Sequence, residues 1–148
     1  MYSPKHSDYY YEWIELYNPT NTTVDITGWT LWDGQEEDTI QGDSDHGTGT
    51  TLIPGHSYAI IADHGTKIYQ TWNIPNSTIR LYVDDAAICG NGLKNTGEFL
   101  LLNSSDHTII DAIEWGENIK LIPGHPAYTV NTVSYTHLRA HETNDLIS

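Results

Sequence analysis

For 148 residues the chain has little cysteine, little basic charge and few of the usual core fillers: one Cys, six Lys and Arg together, one Phe and one Met. The lone Cys89 excludes an intradomain disulfide, and with it the Cys-Trp-Cys core of antibody domains. Twenty Asp and Glu against those six cations give a formal charge of −14. Nucleic-acid binders displace counterions with a basic face, and anionic lipid attracts polybasic segments. The charge therefore argues against both partners as direct contacts. No apolar run reaches the ~20 residues of a membrane helix, which excludes membrane insertion by that route. No internal repeat or heptad is evident. No basic and apolar stretch of signal-peptide type opens the sequence.

What is present points to β structure. There are 5 Trp and 10 Tyr, with 12 Gly and 6 Pro as punctuation. Aromatic and β-branched residues broken by turn formers favour an all-β sandwich of one domain. The clearest segment runs from Tyr11 to Leu31, YEWIELYNPTNTTVDITGWTL. Ile14 and Leu16 alternate with Trp13, Glu15 and Tyr17. Asn18-Pro19-Thr20-Asn21-Thr22 breaks the run, and Val24, Ile26, Trp29 and Leu31 follow, with Gly28 at a bend. Alternation on both sides of an Asn/Pro/Thr cluster is a hairpin signal. Extending the same reading predicts strands over 10–17, 23–32, 51–54, 57–63, 79–83, 98–103 and 108–115.

Those residues also resemble a known family. The run from Glu12 to Pro19 and the run from Val24 to Leu31 are similar to the paired "EWIELYNP" and "VDLSGWTL" strands that open the lamin tail domain. Thr51 to Ala62 stands where that family has its next strand pair. Leu93 to Gly116 stands where it has a later hairpin. The resemblance covers about Tyr2 to Thr132, in order. It implies an immunoglobulin-like antiparallel β-sandwich, and a binding or structural module rather than an enzyme. It further implies a part of a larger prokaryotic protein, secreted or surface-attached, with a protein, a cell-surface component or a glycan as partner. The competing expectation is a Ca²⁺- or carbohydrate-binding accessory domain of a secreted hydrolase or nuclease. Trp29 falls at the family's "GW" position, which implies a core role.

Both ends depart from the pattern. Met1-Tyr2-Ser3-Pro4 matches only the second half of the family's first strand, so Met1 is expected to be an internal methionine. Val133 to Thr143 reads as the translation of a transposase sequencing adapter in one frame. Residues 1–132 are accordingly expected to be an incomplete domain, truncated at both edge strands, from an environmental gene. Residues 133–148 are expected to be a non-native tail, and processing scars stay outside fold reasoning.

Candidate sites are few. The acidic loop Asp33 to Gly49 carries Asp43, Asp45 and Gly47, part of a calcium-loop pattern. Hard oxygen ligands on alternate residues suit Ca²⁺, so Asp33, Asp43 and Asp45 are the candidate metal ligands. No Glu completes a full calcium loop, and a solvated loop is the plainer reading. His46, His56, His64, His107 and His125 lie in separate loops, without the HxH or HExxH spacing of a zinc site. No G-x-S-x-G elbow is present, and Gly90-Asn-Gly92 completes no phosphate-cradling loop. Glu12 and Glu15 differ by an odd number and so face opposite sides of a strand. No catalytic residue and no organic cofactor are expected. The aromatic set Trp13, Trp29, Trp32, Trp72 and Trp115, with Tyr9, Tyr10 and Tyr11, divides between sandwich packing and an exposed binding row. Asn21, Asn76 and Asn103 each open an Asn-x-Ser/Thr triplet in an expected turn, a slight lean toward an extracellular location.

The charge argument yields a first prediction. Before Val133 the cations are Lys5, Lys67, Arg80, Lys94 and Lys120, scattered along the sequence. Phosphate contacts supply nearly all non-specific DNA affinity, so little remains to drive binding. A gel-shift titration with duplex DNA at physiological salt should show no complex. A micromolar complex that weakens steeply with salt would overturn this.

Overall fold

A computed structural model describes residues 10–94, 96–116 and 137–141; residues 115, 116 and 137–141 are described by backbone alone. The strands are β1 (Trp13–Tyr17), β2 (Val24–Asp25), β3 (Thr30–Trp32), β4 (Glu37–Gln41), β5 (Leu52–Ile53), β6 (Tyr58–Ala62), β7 (Ile79–Val83), β8 (Gly97–Asn103), β9 (Ile109–Gly116) and β10 (His137–His141). One helical turn, α1 (Ile68–Thr71), lies between β6 and β7. Eight strands form one curled sheet in the order β10-β1-β6-β7-β4-β3-β8-β9, and β2 pairs with β5 apart from it. The fold is all-β and immunoglobulin-like.

Curling brings two halves of the sheet onto one core. Ile14 and Leu16 of β1, Ile61 of β6 and Leu81 of β7 come from one half. Leu31 of β3 and Leu100 and Leu102 of β8 come from the other. All are at most 2% exposed. Burying such side chains contributes about 1.5–3 kcal/mol each. Strand β4 joins the halves, pairing β3 through Thr30↔Thr39 and β7 through Ile40↔Val83. Trp29 packs against this core while remaining half-buried. The expected core role therefore holds in part, at the rim.

Two features depart from the expected strand pattern, and a third concerns one expected turn. β4 lies inside the segment read as an acidic loop. β6 and β7 pair in parallel, Ile60 opposite Arg80, within an otherwise antiparallel sheet. A parallel pair needs a crossover of a dozen or more residues, and 63–78 with α1 supplies it. Asn103 is buried at the end of β8, inside the strand expected over 98–103 and not in the turn expected from its Asn-x-Ser triplet. It is no glycan acceptor, whereas Asn21 and Asn76 are exposed.

At the ends, β10 lies antiparallel along β1, with Leu16 opposite Leu138. An open sheet edge offers such backbone pairing to any extended segment. The rest of 133–148, and His125, lie outside the described residues.

The turn after β1 is fixed by one side chain. Asn18 is fully buried. Its Nδ2 donates to the carbonyls of Thr22 at 2.8 Å, Ile53 at 2.9 Å and Pro54 at 3.1 Å. Its Oδ1 accepts from the Thr20 amide at 3.0 Å and the Thr20 hydroxyl at 2.8 Å. Gly55 passes close by, and a Cβ there would sit 2.7 Å from the Thr20 carbonyl oxygen. Asn18→Asp keeps the shape and the acceptor but removes every donor and buries a charge. It should destabilise the domain by about 3 kcal/mol or more, the usual cost of unsatisfied buried polar groups. Chemical denaturation checks this; a change below about 1 kcal/mol would show that the amide is dispensable.

Candidate functional site

The outer face of β1, β6 and β7 carries a second, smaller core. Trp13, Ile60, Ala62 and Ile68 are buried there, with Tyr69, Trp72 and Ile74 packed around them. Strand alternation explains the division. Ile14 and Leu16 point to the main core, so Trp13, Glu15 and Tyr17 point outward. The crossover 63–78 folds back over that face because Ile68, Trp72 and Ile74 need apolar cover.

The cover is incomplete and leaves a groove of about 280 Å³. Its floor is Glu15 and Ile60, opposite each other in the β1–β6 register. Trp13 and Tyr58 also line it, and the antiparallel register places them at opposite ends of the floor. Trp72, Ile74 and Pro75 form the side supplied by the crossover, with Asn73 and Thr78 as further polar lining. Tyr11 meets Trp72 edge-on, with ring centroids 6.1 Å apart, which fixes the indole. Tyr58 is 49% exposed and lies against Tyr17 at 4.7 Å. Glu15 also stands opposite Arg139 in the β1–β10 register, where β10 is described by backbone alone.

The candidate calcium ligands are not brought together. Asp33 is buried in the turn after β3, where its Oδ1 accepts the Gln35 amide at 2.7 Å and the Glu36 amide at 2.8 Å. Asp43 and Asp45 are exposed beyond the far end of β4. Asp43 accepts the Asp45 amide at 2.9 Å and the Tyr82 hydroxyl. A strand of this length spans about 17 Å, so one ion cannot touch all three carboxylates. No group of three His, Cys, Asp or Glu side chains among the described residues has metal-site geometry.

Two of the separate histidines do meet. His46 and His64 stack at 4.3 Å, and both pack on the ring of Tyr82. His56 bonds Asn21 at 2.7 Å, and His107 approaches Glu37 at 3.7 Å. Cys89 is buried in the main core, as a small hydrophobe would be, and burial pushes its thiol pKa far up. Glu12 and Glu15 do part company. Glu12 turns inward and accepts the Leu93 amide at 2.9 Å, beside Gly92, where a Cβ would sit 2.7 Å from its carboxylate.

Asp38 and Asp63 are the perturbed acids. Each is at most 3% exposed, and burial raises each pKa to about 6. The Cys89 amide on Asp38 at 2.5 Å and the Gly65 amide on Asp63 at 2.5 Å oppose the shift without cancelling it. Asp84, Asp85 and Asp33 add repulsion at Asp38.

The sequence reading singled out Trp13 and Trp72 only as members of an aromatic set, and it did not single out Tyr58. The available signal was apolar spacing in the crossover, Ile68, Trp72 and Ile74, ending at Pro75.

Against known proteins, the family model described as Lamin Tail Domain matches residues 1–117. No curated protein and no solved structure matches the chain.

The two buried acids yield a pH prediction. Their folded pKa values lie above the unfolded value, so the native state binds more protons between about pH 4 and pH 6. Stability is greatest below that window, falls as pH rises through it, and is flat above it. The loss from pH 5 to pH 7 should be roughly 1 kcal/mol per group. Asp38→Asn with Asp63→Asn should raise the thermal midpoint at pH 7 and flatten this slope. A parent protein more stable at pH 7 than at pH 5 would contradict it.

Proposed function

The chain belongs to the lamin tail domain family, and from that premise we propose that it is the interaction module of a larger protein outside the cell, binding its partner through the outer-face groove. The family is immunoglobulin-like and generally non-catalytic. A pocket lined mainly by aromatic and aliphatic side chains, with a few convergent polar groups, is the usual form of a binding site. Here the groove between Trp13, Trp72 and Tyr58 carries the reading. Its rings are held by packing, so little conformational entropy is lost when a partner covers them. Tyr and Trp are the residues most enriched at the energetic centres of interfaces. The acidic surface and the exposed triplets at Asn21 and Asn76 support an extracellular setting. A protein or cell-surface partner suits this groove better than a long glycan chain, because about 280 Å³ lies just below the range of ordinary ligand pockets.

The test is an array of surface-protein peptides and polysaccharides probed with the full chain. Tyr58→Ala should weaken any true ligand about tenfold while leaving the thermal midpoint unchanged, because the ring is half exposed. Trp72→Ala should abolish binding. Ligands that bind both variants as well as the parent would place the interface elsewhere.

A further inference from the structure

The outer edge of β1 takes a strand. In this chain β10 fills it, pairing all five residues of β1 in an unbroken antiparallel register. The curled sheet brings its other edge, β9, up to β10 without pairing with it. Among the described residues β10 is therefore paired to β1 alone. Proteins guard sheet edges with proline, lysine or a bulge, or by covering them. β1 carries no proline, lysine or bulge, so cover is what protects it. We infer that this edge is a strand-acceptor site and that β10 is a removable strap over it. Its place is taken by an extended segment of a partner protein that reads apolar, basic, apolar at three consecutive positions.

The register states what the edge selects. Ile14 and Leu16 are fully buried in the main core, and the positions opposite them in β10 are Ala140 and Leu138. Glu15 lies between them, opposite Arg139. Opposite charges facing across a ladder stabilise it, and like charges weaken it. The charge of −14 adds a long-range field that draws basic segments in and repels acidic ones. Backbone pairing supplies the affinity of an added strand, and alternate side chains supply its specificity. The origin of 137–141 does not enter, because the edge reads alternation and one charge. Two features make the strap removable. It is a five-residue edge strand, whereas β6 is paired on both sides, by β1 and β7. It is also reached through 117–136, far longer than the usual connection of about 4–6 residues. Elements anchored so lightly open at lower free energy than the core. This edge is separate from the groove, whose rings stand on the face of β1.

Two measurements on the full chain test this. In hydrogen exchange of the parent, amides of 137–141 should exchange about tenfold faster or more than those of 59–61 in β6, because the strap opens without the core. Equal protection would make β10 an integral strand and overturn the inference. The second measurement is capture, read by fluorescence anisotropy of a labelled, capped peptide with the sequence of 135–143, YTHLRAHET. A tethered strand competes at roughly millimolar effective concentration, so the parent should capture this peptide poorly. Leu138→Asp with Ala140→Asp in the chain removes the strap's apolar positions and should tighten capture about tenfold or more. Adding the peptide should then restore protection to amides of 13–17. A peptide with Arg139→Glu should bind about tenfold more weakly, and Glu15→Lys in the opened chain should reverse that preference. Indifference to both charge changes, protection of another edge such as β9, or no capture by the folded, opened chain would overturn the inference. Trp72→Ala should leave capture intact; its loss would move the peptide into the groove and overturn the strand site while preserving the groove. The exchange measurement needs no variant, so it decides even where the double aspartate chain does not fold.

Discussion

The fold depends on how the chain leaves β1, and that exit is held by the side chain of Asn18. A buried amide with two N–H donors and one carbonyl acceptor is costly unless each finds a partner. Asn18 spends its donors on Thr22, Ile53 and Pro54, and its acceptor on Thr20. These bonds tie the turn after β1 to the turn that leads from β5 to β6. The backbone repeats the link, with the Asn18 amide on the Ser57 carbonyl at 3.0 Å and the His56 amide on the Asn18 carbonyl at 2.9 Å. Once both turns are joined, the β1–β6 register follows, with Tyr17 opposite Tyr58 and Trp13 opposite Ala62. That register puts Glu15 beside Ile60 and builds the groove floor. A one-residue slip would turn Ile14 and Leu16 out of the main core and Glu15 into it.

Much of this architecture was legible in the sequence, for a physical reason. β1, β6, β7 and β8 alternate clearly or carry several adjacent aliphatics, so burial and propensity agree. β4 was not legible. Its residues, Glu37-Asp-Thr-Ile-Gln41, include one aliphatic and an aspartate, a poor strand former. Asp38 nonetheless faces inward, because β4 must bridge the two halves of the sheet and its register is set by β3. Tertiary pairing overrode local preference. Alternate acidic residues likewise look alike in a ligand loop and in the segments flanking a strand, which leaves the sequence of 33–49 open to both readings. Asn103 carries two conflicting signals, the end of the 98–103 strand and a turn triplet, and the strand wins. Its Asn-Ser-Ser triplet has turn chemistry, yet the turn starts one residue later and the asparagine stays in the strand.

The groove was illegible for another reason. Its residues come from β1, β6 and a crossover whose course depends on the parallel β6–β7 pair. Period-2 alternation marks which side chains share a face of one strand, but it carries no register between strands distant in sequence. Only Trp72 and Pro75 hinted that 63–78 was more than a linker. Buried aliphatics and a tryptophan in a connection imply that it has a surface to lie on. The outer face of β1 and β6 is that surface.

The buried acids and the groove are two consequences of one composition. With 20 acidic residues in 148, some carboxylates must fall at inward positions, and Asp38 and Asp63 do. Each is held by backbone amides, which partly offset a desolvation that still raises its pKa. Neither opens onto the groove. Glu15 differs because it is half-buried on the groove floor, opposite Ile60 of β6 on one side and Arg139 of β10 on the other. A carboxylate that only stabilised the fold would be expected to accept amides, as Asp33, Asp38 and Asp63 do. One left without such bonds on the floor of an aromatic groove contributes little to folding. Its replacement by glutamine should therefore leave stability within about 0.5 kcal/mol while removing a charge from the groove floor, a separation of effects that none of the buried acids would allow.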